Sequence, residues 1–111
     1  YEMVETVKYD SFSMRELRGE WLIELFKDNC MPCKMLSRSL DRFRDSTNIL
    51  KVHLEDEAAI QRAAASLKVR SVPTLLLVRD GELLHQSAGF KTPADLGDLL
   101  GEHFEAGRVP A

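Results

Sequence analysis

Apolar residues fall in short runs separated by polar breaks, and the period of each run names an element. Val4, Thr6 and Lys8 alternate with Met3, Glu5 and Val7, which predicts a short strand. Asp10 and Ser11 offer N-caps for a helix through about Arg18, with Phe12 and Leu17 on its inner face and Gly19 as its stop. Trp21 to Phe26 is apolar on both faces apart from Glu24, the pattern of a central strand covered on two sides. Lys27, Asp28 and Asn29 make a polar loop. A helix is predicted to start near Met31 or Pro32, because proline is tolerated in a first turn. Cys33, Leu36, Leu40 and Phe43 then share one face at helical spacing, while Lys34, Arg38, Asp41, Arg42 and Arg44 fall mostly elsewhere.

Ile49, Leu50, Val52 and Leu54 predict the next strand. The acidic trio Glu55, Asp56 and Glu57 precedes an Ala-rich helix from about Ala58 to Leu67, where negative charge suits the helix dipole. Ser71, Val72 and Pro73 break the chain. Thr74 to Val78 reads as a strand, Asp80-Gly81 as a hairpin turn, and Glu82 to Ser87 as the partner strand, ended by Gly89. Thr92 caps the last helix, with Pro93 at its first position and Asp95 reaching back as the acid of a capping box. Leu96, Leu99, Leu100 and Phe104 form its buried stripe. Three strands joined through helices call for right-handed crossovers and parallel pairing, and the final hairpin pairs antiparallel. The expectation is α/β: a mixed sheet with helices on both faces.

The chain has 111 residues, 44% hydrophobic and 30% charged, which suits one soluble domain able to fold without staples. A net charge of −3 argues against non-specific nucleic-acid binding, which needs a positive field. No run approaches the roughly 18 apolar residues of a membrane span. Only two cysteines occur, which excludes a disulfide-stapled secreted scaffold and suits a reducing, cytoplasmic setting.

Those cysteines carry the candidate chemistry. Cys30-Met31-Pro32-Cys33 lies between a buried strand and a helix. A helix N-terminus presents free N–H groups and the positive end of the dipole, and both favour a thiolate, the nucleophilic form. Cys30 is expected at the cap and exposed, with Cys33 one turn in on the same face. That spacing puts them about 5–6 Å apart, within disulfide reach. The natural reading is a reversible dithiol–disulfide couple in which Cys30 attacks a target disulfide and Cys33 resolves the mixed intermediate. A Cys-x-x-Cys pair is also half a zinc site, but a structural site needs four ligands, and His53, His85 and His103 have no paired spacing. No metal or cofactor is therefore expected. Two inert core thiols are the other alternative; it suits Cys33 better than Cys30, which follows a polar loop.

Two further residues stand out. Glu24 interrupts a two-sided apolar strand six positions before Cys30. Desolvation there raises a carboxyl pKa, and such a group could exchange a proton with Cys33. The alternative is a strand-end Glu that snorkels to water. Pro73 reads by itself as an ordinary trans proline at a strand start.

Together these residues resemble the thioredoxin family, from Asp10-Ser11-Phe12 to the last helix. Cys30-Met31-Pro32-Cys33-Lys34-Met35 resembles its active-site signature. Val69-Arg70-Ser71-Val72-Pro73-Thr74 resembles a second, and Asp80-Gly81-Glu82 and Gly89 match its hairpin and the glycine beyond. The resemblance implies a thioredoxin fold over residues 1–111 as a single domain, with a five-stranded sheet and four helices. It implies a cis Val72–Pro73 bond facing the dithiol, and a Val72 backbone that pairs with an extended substrate as an added strand. It places Asn29, Met31, Pro32 and Gly89 on the contact surface and favours the proton role of Glu24, whose family counterpart is a buried Asp. Partners so implied are disulfide-containing proteins and a thioredoxin reductase as electron donor, with the chain a monomer. Alternatives are a disulfide oxidant or isomerase and a non-redox binding subunit. The chain departs from the family pattern at Phe26 and Asn29, usually Trp, at Met31, usually Gly, and at Arg38, usually Pro. The family's strand lysine near the buried acid has no evident counterpart, His53 or Leu54 lying closest.

Overall fold

The computed structural model describes residues 4–105. Its strands are β1 (Val4–Lys8), β2 (Glu20–Phe26), β3 (Asn48–His53), β4 (Thr74–Arg79) and β5 (Glu82–Ala88). Its α-helices are α1 (Met31–Asp41), α2 (Glu57–Leu67) and α3 (Pro93–His103). Met3, counted into the first strand from its alternation, lies outside the described residues.

The five strands form one sheet in the order β1-β3-β2-β4-β5. β3 pairs parallel with both β1 and β2, as helix-joined strands do, and β4 pairs antiparallel with β5 through the hairpin; β4 also runs antiparallel to β2, which the α2 connection by itself does not dictate. β2 is therefore central, which explains its two-sided apolar sequence. Trp21, Ile23 and Leu25 join Leu50, Val52, Leu76 and Ala63 in the core under α2. Leu22 points the other way, to Leu36 and Leu40 of α1 and Leu96 and Leu100 of α3. Glu24, two residues after Leu22, shares that second face by strand alternation.

The turns follow their residues. Asp80 (φ 50°) and Gly81 (φ 81°) both adopt positive φ, as a two-residue hairpin turn demands. A Cβ on Gly81 would lie 2.9 Å from the Arg15 carbonyl oxygen, so the turn packs directly on the segment before β2. The α3 capping box forms in full: Thr92 Oγ1 accepts from the Asp95 N–H, and Asp95 Oδ2 accepts from the Thr92 N–H, each at 3.0 Å. That carboxylate is held below its usual range by the Thr92 hydrogen bonds.

The first helix is the main correction. Residues 10–18 form two 3-10 turns, Tyr9–Ser11 and Met14–Glu16, separated by extended backbone at Phe12 and Ser13. Neither Asp10 nor Ser11 caps a helix; Asp10 instead pairs with Arg62 at 2.7 Å. The reason lies in the apolar spacing. Tyr9, Phe12, Met14 and Leu17 all pack on the α2-side core. A continuous α-helix would set Phe12 and Met14 nearly opposite each other, and the extended break lets both face inward. The sheet is thus flanked by three α-helices and this 3-10 segment.

Candidate active site

Cys30 is the N-cap of α1, with extended backbone, and Pro32 lies in the first turn. Asn29 just before it takes φ 56°, a left-handed conformation that Asn tolerates better than most residues. The chain therefore turns sharply from the β2 loop into the helix. Cys30 and Cys33 are joined by a disulfide, with their Cα atoms 5.2 Å apart. The Cys33 N–H donates to Cys30 Sγ at 3.2 Å, so the sulfur occupies the capping position usually held by a side-chain oxygen.

The expectation that Cys30 is exposed is not met: it is 7% accessible, against 3% for Cys33. The disulfide and the N–H contact fold its sulfur against the helix start. Met31 next to it is 62% exposed, and Asn29 and Pro32 are exposed too. Exposed Asn29, Met31 and Pro32 thus border a nearly buried cysteine pair.

The sheet brings a second segment to the same end. Leu25 pairs with Thr74, and Thr74 with Ala88. One residue further along, Phe26, Pro73 and Gly89 fall in a row beside the loop that leads to Cys30. The Val72–Pro73 peptide bond is cis, as the resemblance implied and the local sequence did not. The Gly89 N–H donates to the Pro73 carbonyl at 2.8 Å, and Thr74 Oγ1 donates to the Ser71 carbonyl at 2.7 Å. Gly89 has φ 93°, and a Cβ there would meet nothing within 4 Å. Val72 is half-buried and packs on the α2-side core.

Beneath α1, at Ser37, lies Glu24, fully buried at 0% exposure, so it does not snorkel to water. Its Oε1 accepts a hydrogen bond from Ser37 Oγ of α1 at 2.5 Å, and its Oε2 is buried with no hydrogen-bond partner among the described residues. Burial pushes the Glu24 carboxyl up from the ordinary 4.5 to about 7. The Ser37 hydrogen bond and the positive charge of Lys51 pull the other way, while the negative charge of Asp41 adds to the rise. Lys51 sits directly across from Glu24 in the β2–β3 register and donates to Asp41 Oδ1 at 2.9 Å. This corrects the placement of the strand lysine: neither His53 nor Leu54 but Lys51 faces the buried acid. The signal was a lone charge in the middle of Ile49-Leu50-Lys51-Val52.

Ser37 was missed altogether. It lies four residues after Cys33, hence on the same helix face. Both line a cleft of about 660 Å³ whose mouth carries Lys27, Lys34 and Arg38. Arg38 leaves α1 uninterrupted to Asp41 where the family pattern has a proline. Phe26 stacks on His53 with ring centres 5.0 Å apart, and His53 Nε2 approaches Asp28 Oδ1 at 3.2 Å. His85 and His103 lie together elsewhere, at β5 and the end of α3. No group of three or more His, Cys, Asp or Glu among the described residues is arranged to hold a metal ion. Nor is any described helix long and apolar enough to cross a membrane.

Comparison with known proteins points the same way. The sequence pattern of the thioredoxin family matches residues 3–102. A thioredoxin of Chlamydia muridarum is 33% identical over 101 residues, which span 91% of this chain and 99% of that protein. A thioredoxin of Bacillus subtilis is 33% identical over 97 residues, 84% of this chain and 90% of its own. The crystal structure of Chlamydomonas reinhardtii thioredoxin f2 superposes with a TM-score of 0.76 over 91% of this chain and 96% of that one; at 19% identity it speaks to the fold alone. The family match over nearly the whole chain, set beside a disulfide at the start of α1, establishes that the chain belongs to the thioredoxin family and is a thiol–disulfide oxidoreductase of that type.

Proposed function

We propose that the chain reduces disulfides in protein substrates, with Cys30 as the attacking thiolate and Cys33 as the resolving thiol. The observation that carries this reading is the Cys33 N–H aimed at Cys30 Sγ at the N-terminus of α1. In the reduced protein that donor and the helix dipole favour a thiolate on Cys30. The thiolate attacks one sulfur of the target disulfide, and the target's other sulfur leaves as a thiolate. Cys33 then loses its proton and attacks Cys30 Sγ. The Cys30–Cys33 bond forms, the mixed disulfide breaks, and the second target thiol is released. The 5.2 Å Cα separation supports closure without backbone rearrangement.

Glu24 serves as the base that takes the Cys33 proton, and its position near neutrality suits that task. Asn29, Met31 and Pro32 on one side, and Val72 and Gly89 on the other, form the surface that receives an extended substrate segment, with buried Pro73 holding the Val72 backbone in its cis turn. Exposed Met31 supplies an adaptable apolar contact. The same reading takes residues 1–111 as a single domain, monomeric and cytoplasmic, reduced by a thioredoxin reductase.

Insulin reduction with dithiothreitol tests the cysteine roles. Cys30→Ser is expected to abolish it, and retained activity would refute the assignment. Cys33→Ser is expected to accumulate mixed disulfides with substrate; if none form, Cys33 is not the resolving thiol. The reduction potential of the couple separates a reductant from an oxidant or isomerase, whose potential lies well above. Reduction of the couple by NADPH and a thioredoxin reductase tests the donor.

A further inference from the structure

We propose that Ser37 is a positioning residue that holds the Glu24 carboxyl and relays its proton to and from the cleft on which Cys33 opens. The inference rests on the proton role of Glu24 given above, and adds the route by which a sealed carboxyl performs it.

Glu24 has no exposed surface and cannot exchange a proton with solvent directly. Of its two oxygens, Oε2 has no hydrogen-bond partner among the described residues, and Oε1 has Ser37 Oγ. Lys51, across from it on β3, is committed to Asp41. The hydrogen-bonded path out of Glu24 therefore runs through the Ser37 hydroxyl. That hydroxyl is half-buried, with one side on Glu24 and the other on the cleft shared with Cys33. A serine in a helix interior commonly bonds back to its own helix; this one donates across to β2. A hydroxyl carries one donor and two acceptor positions, so it can accept a proton from the cleft while giving its own to Glu24.

The step balances in protons. At the mixed disulfide, Cys33 Sγ–H releases its proton into the cleft, where solvent passes it to Ser37 Oγ. Ser37 gives its original proton to Glu24 Oε1. The Cys33 thiolate attacks Cys30 Sγ, and the target sulfur leaves with the electron pair of the broken bond. Glu24 now holds the proton and returns it to solvent by the reverse route. The charged groups that face this path are Lys51 on β3, Asp41, Lys34 and Arg38 on α1, and Lys27 and Asp28 in the loop before Cys30.

The test uses the full chain and single-turnover kinetics with a peptide disulfide between pH 5 and 9, timing formation and decay of the mixed disulfide separately. Ser37→Ala is expected to leave formation within about twofold and to slow decay about tenfold at pH 7. Its decay profile should move about one pH unit higher, because a hydrogen bond that favours the carboxylate is lost. Ser37→Thr keeps the hydroxyl and is expected to restore rate and profile to within about twofold. A Ser37→Ala decay profile matching the parent, or a Ser37→Thr as slow as Ser37→Ala, overturns the relay. Glu24→Gln separates this from the underlying reading. If it leaves decay and its pH profile unchanged, the proton role of Glu24 itself fails. If it slows decay and removes the inflection while Ser37→Ala does not, the relay alone fails. A ¹³C NMR titration of the Glu24 carboxyl gives a readout free of turnover: its midpoint should rise in Ser37→Ala and return in Ser37→Thr, and an unmoved midpoint in Ser37→Ala counts against the proposal.

Discussion

Glu24→Gln should change how stability depends on pH, with a sign opposite to that of most carboxylates. In the unfolded chain the carboxyl releases its proton above about 4.5, whereas in the folded protein it keeps it to about 7. Between these values the folded state binds more protons, so each rise in pH favours unfolding. The favourable contribution is therefore complete below 4.5 and is lost as pH rises through 7. At about 1.36 kcal/mol for each pH unit of that gap, the loss is about 3 kcal/mol by pH 8. Gln keeps an acceptor for the Ser37 hydroxyl and carries no charge. Any cost of seating its amide where Oε2 now has no partner is the same at every pH. Urea denaturation of the oxidised parent and variant at pH 4, 5, 6, 7 and 8 measures the difference. Stability of the variant minus that of the parent should climb by about 3 kcal/mol from pH 4 to pH 8, most steeply between pH 5 and 7. A difference flat to within about 1 kcal/mol over that range would refute the reasoning, since the desolvation that raises the Glu24 pKa would then be absent.

Other outcomes follow from local geometry. Gly97→Ala and Gly101→Ala each place a methyl in open space within α3 and should stabilise by about 1 kcal/mol in urea denaturation; a loss of stability would contradict the packing described. Gly81→Ala should destabilise by more than about 1 kcal/mol, because its Cβ would meet the Arg15 carbonyl at a positive φ, and an unchanged midpoint would count against that contact. Thr92→Ala removes one arm of the capping box and should cost about 1 kcal/mol, a reading undone if Thr92→Ala and Thr92→Ser are equally stable.

Most elements could be read from the chain because their causes are local. The two-sided apolar run Trp21 to Phe26 became the central strand, Asp80-Gly81 became the hairpin turn, and Thr92-Pro93-Ala94-Asp95 became a capped helix start. In each case one residue's side chain or backbone preference acts within four positions of itself, and periodicity reports which face is buried. The Cys30–Cys33 spacing belongs to the same class, since one helical turn sets the distance.

Where the outcome depended on contacts distant in sequence, the reading failed or stayed open. The 3-10 segment between β1 and β2 arises because Phe12 and Met14 must both reach one core, a demand that the local helix signals at Asp10 and Ser11 do not contain. The cis Val72–Pro73 bond was expected from the family resemblance alone; the dipeptide by itself reads as trans. From its strand alone Glu24 could equally snorkel to water or stay buried, until packing of α1 against β2 left it no exposed surface. Ser37 and Lys51 gained their places beside it only then, one from the helix above and one from the neighbouring strand. The two cysteines and their helix start are thus written in adjacent residues, whereas the proton environment of Glu24 exists only where three separate elements meet. The physical reason is desolvation: a carboxyl's affinity for its proton is decided by what surrounds it on every side, and a linear pattern records only its own strand.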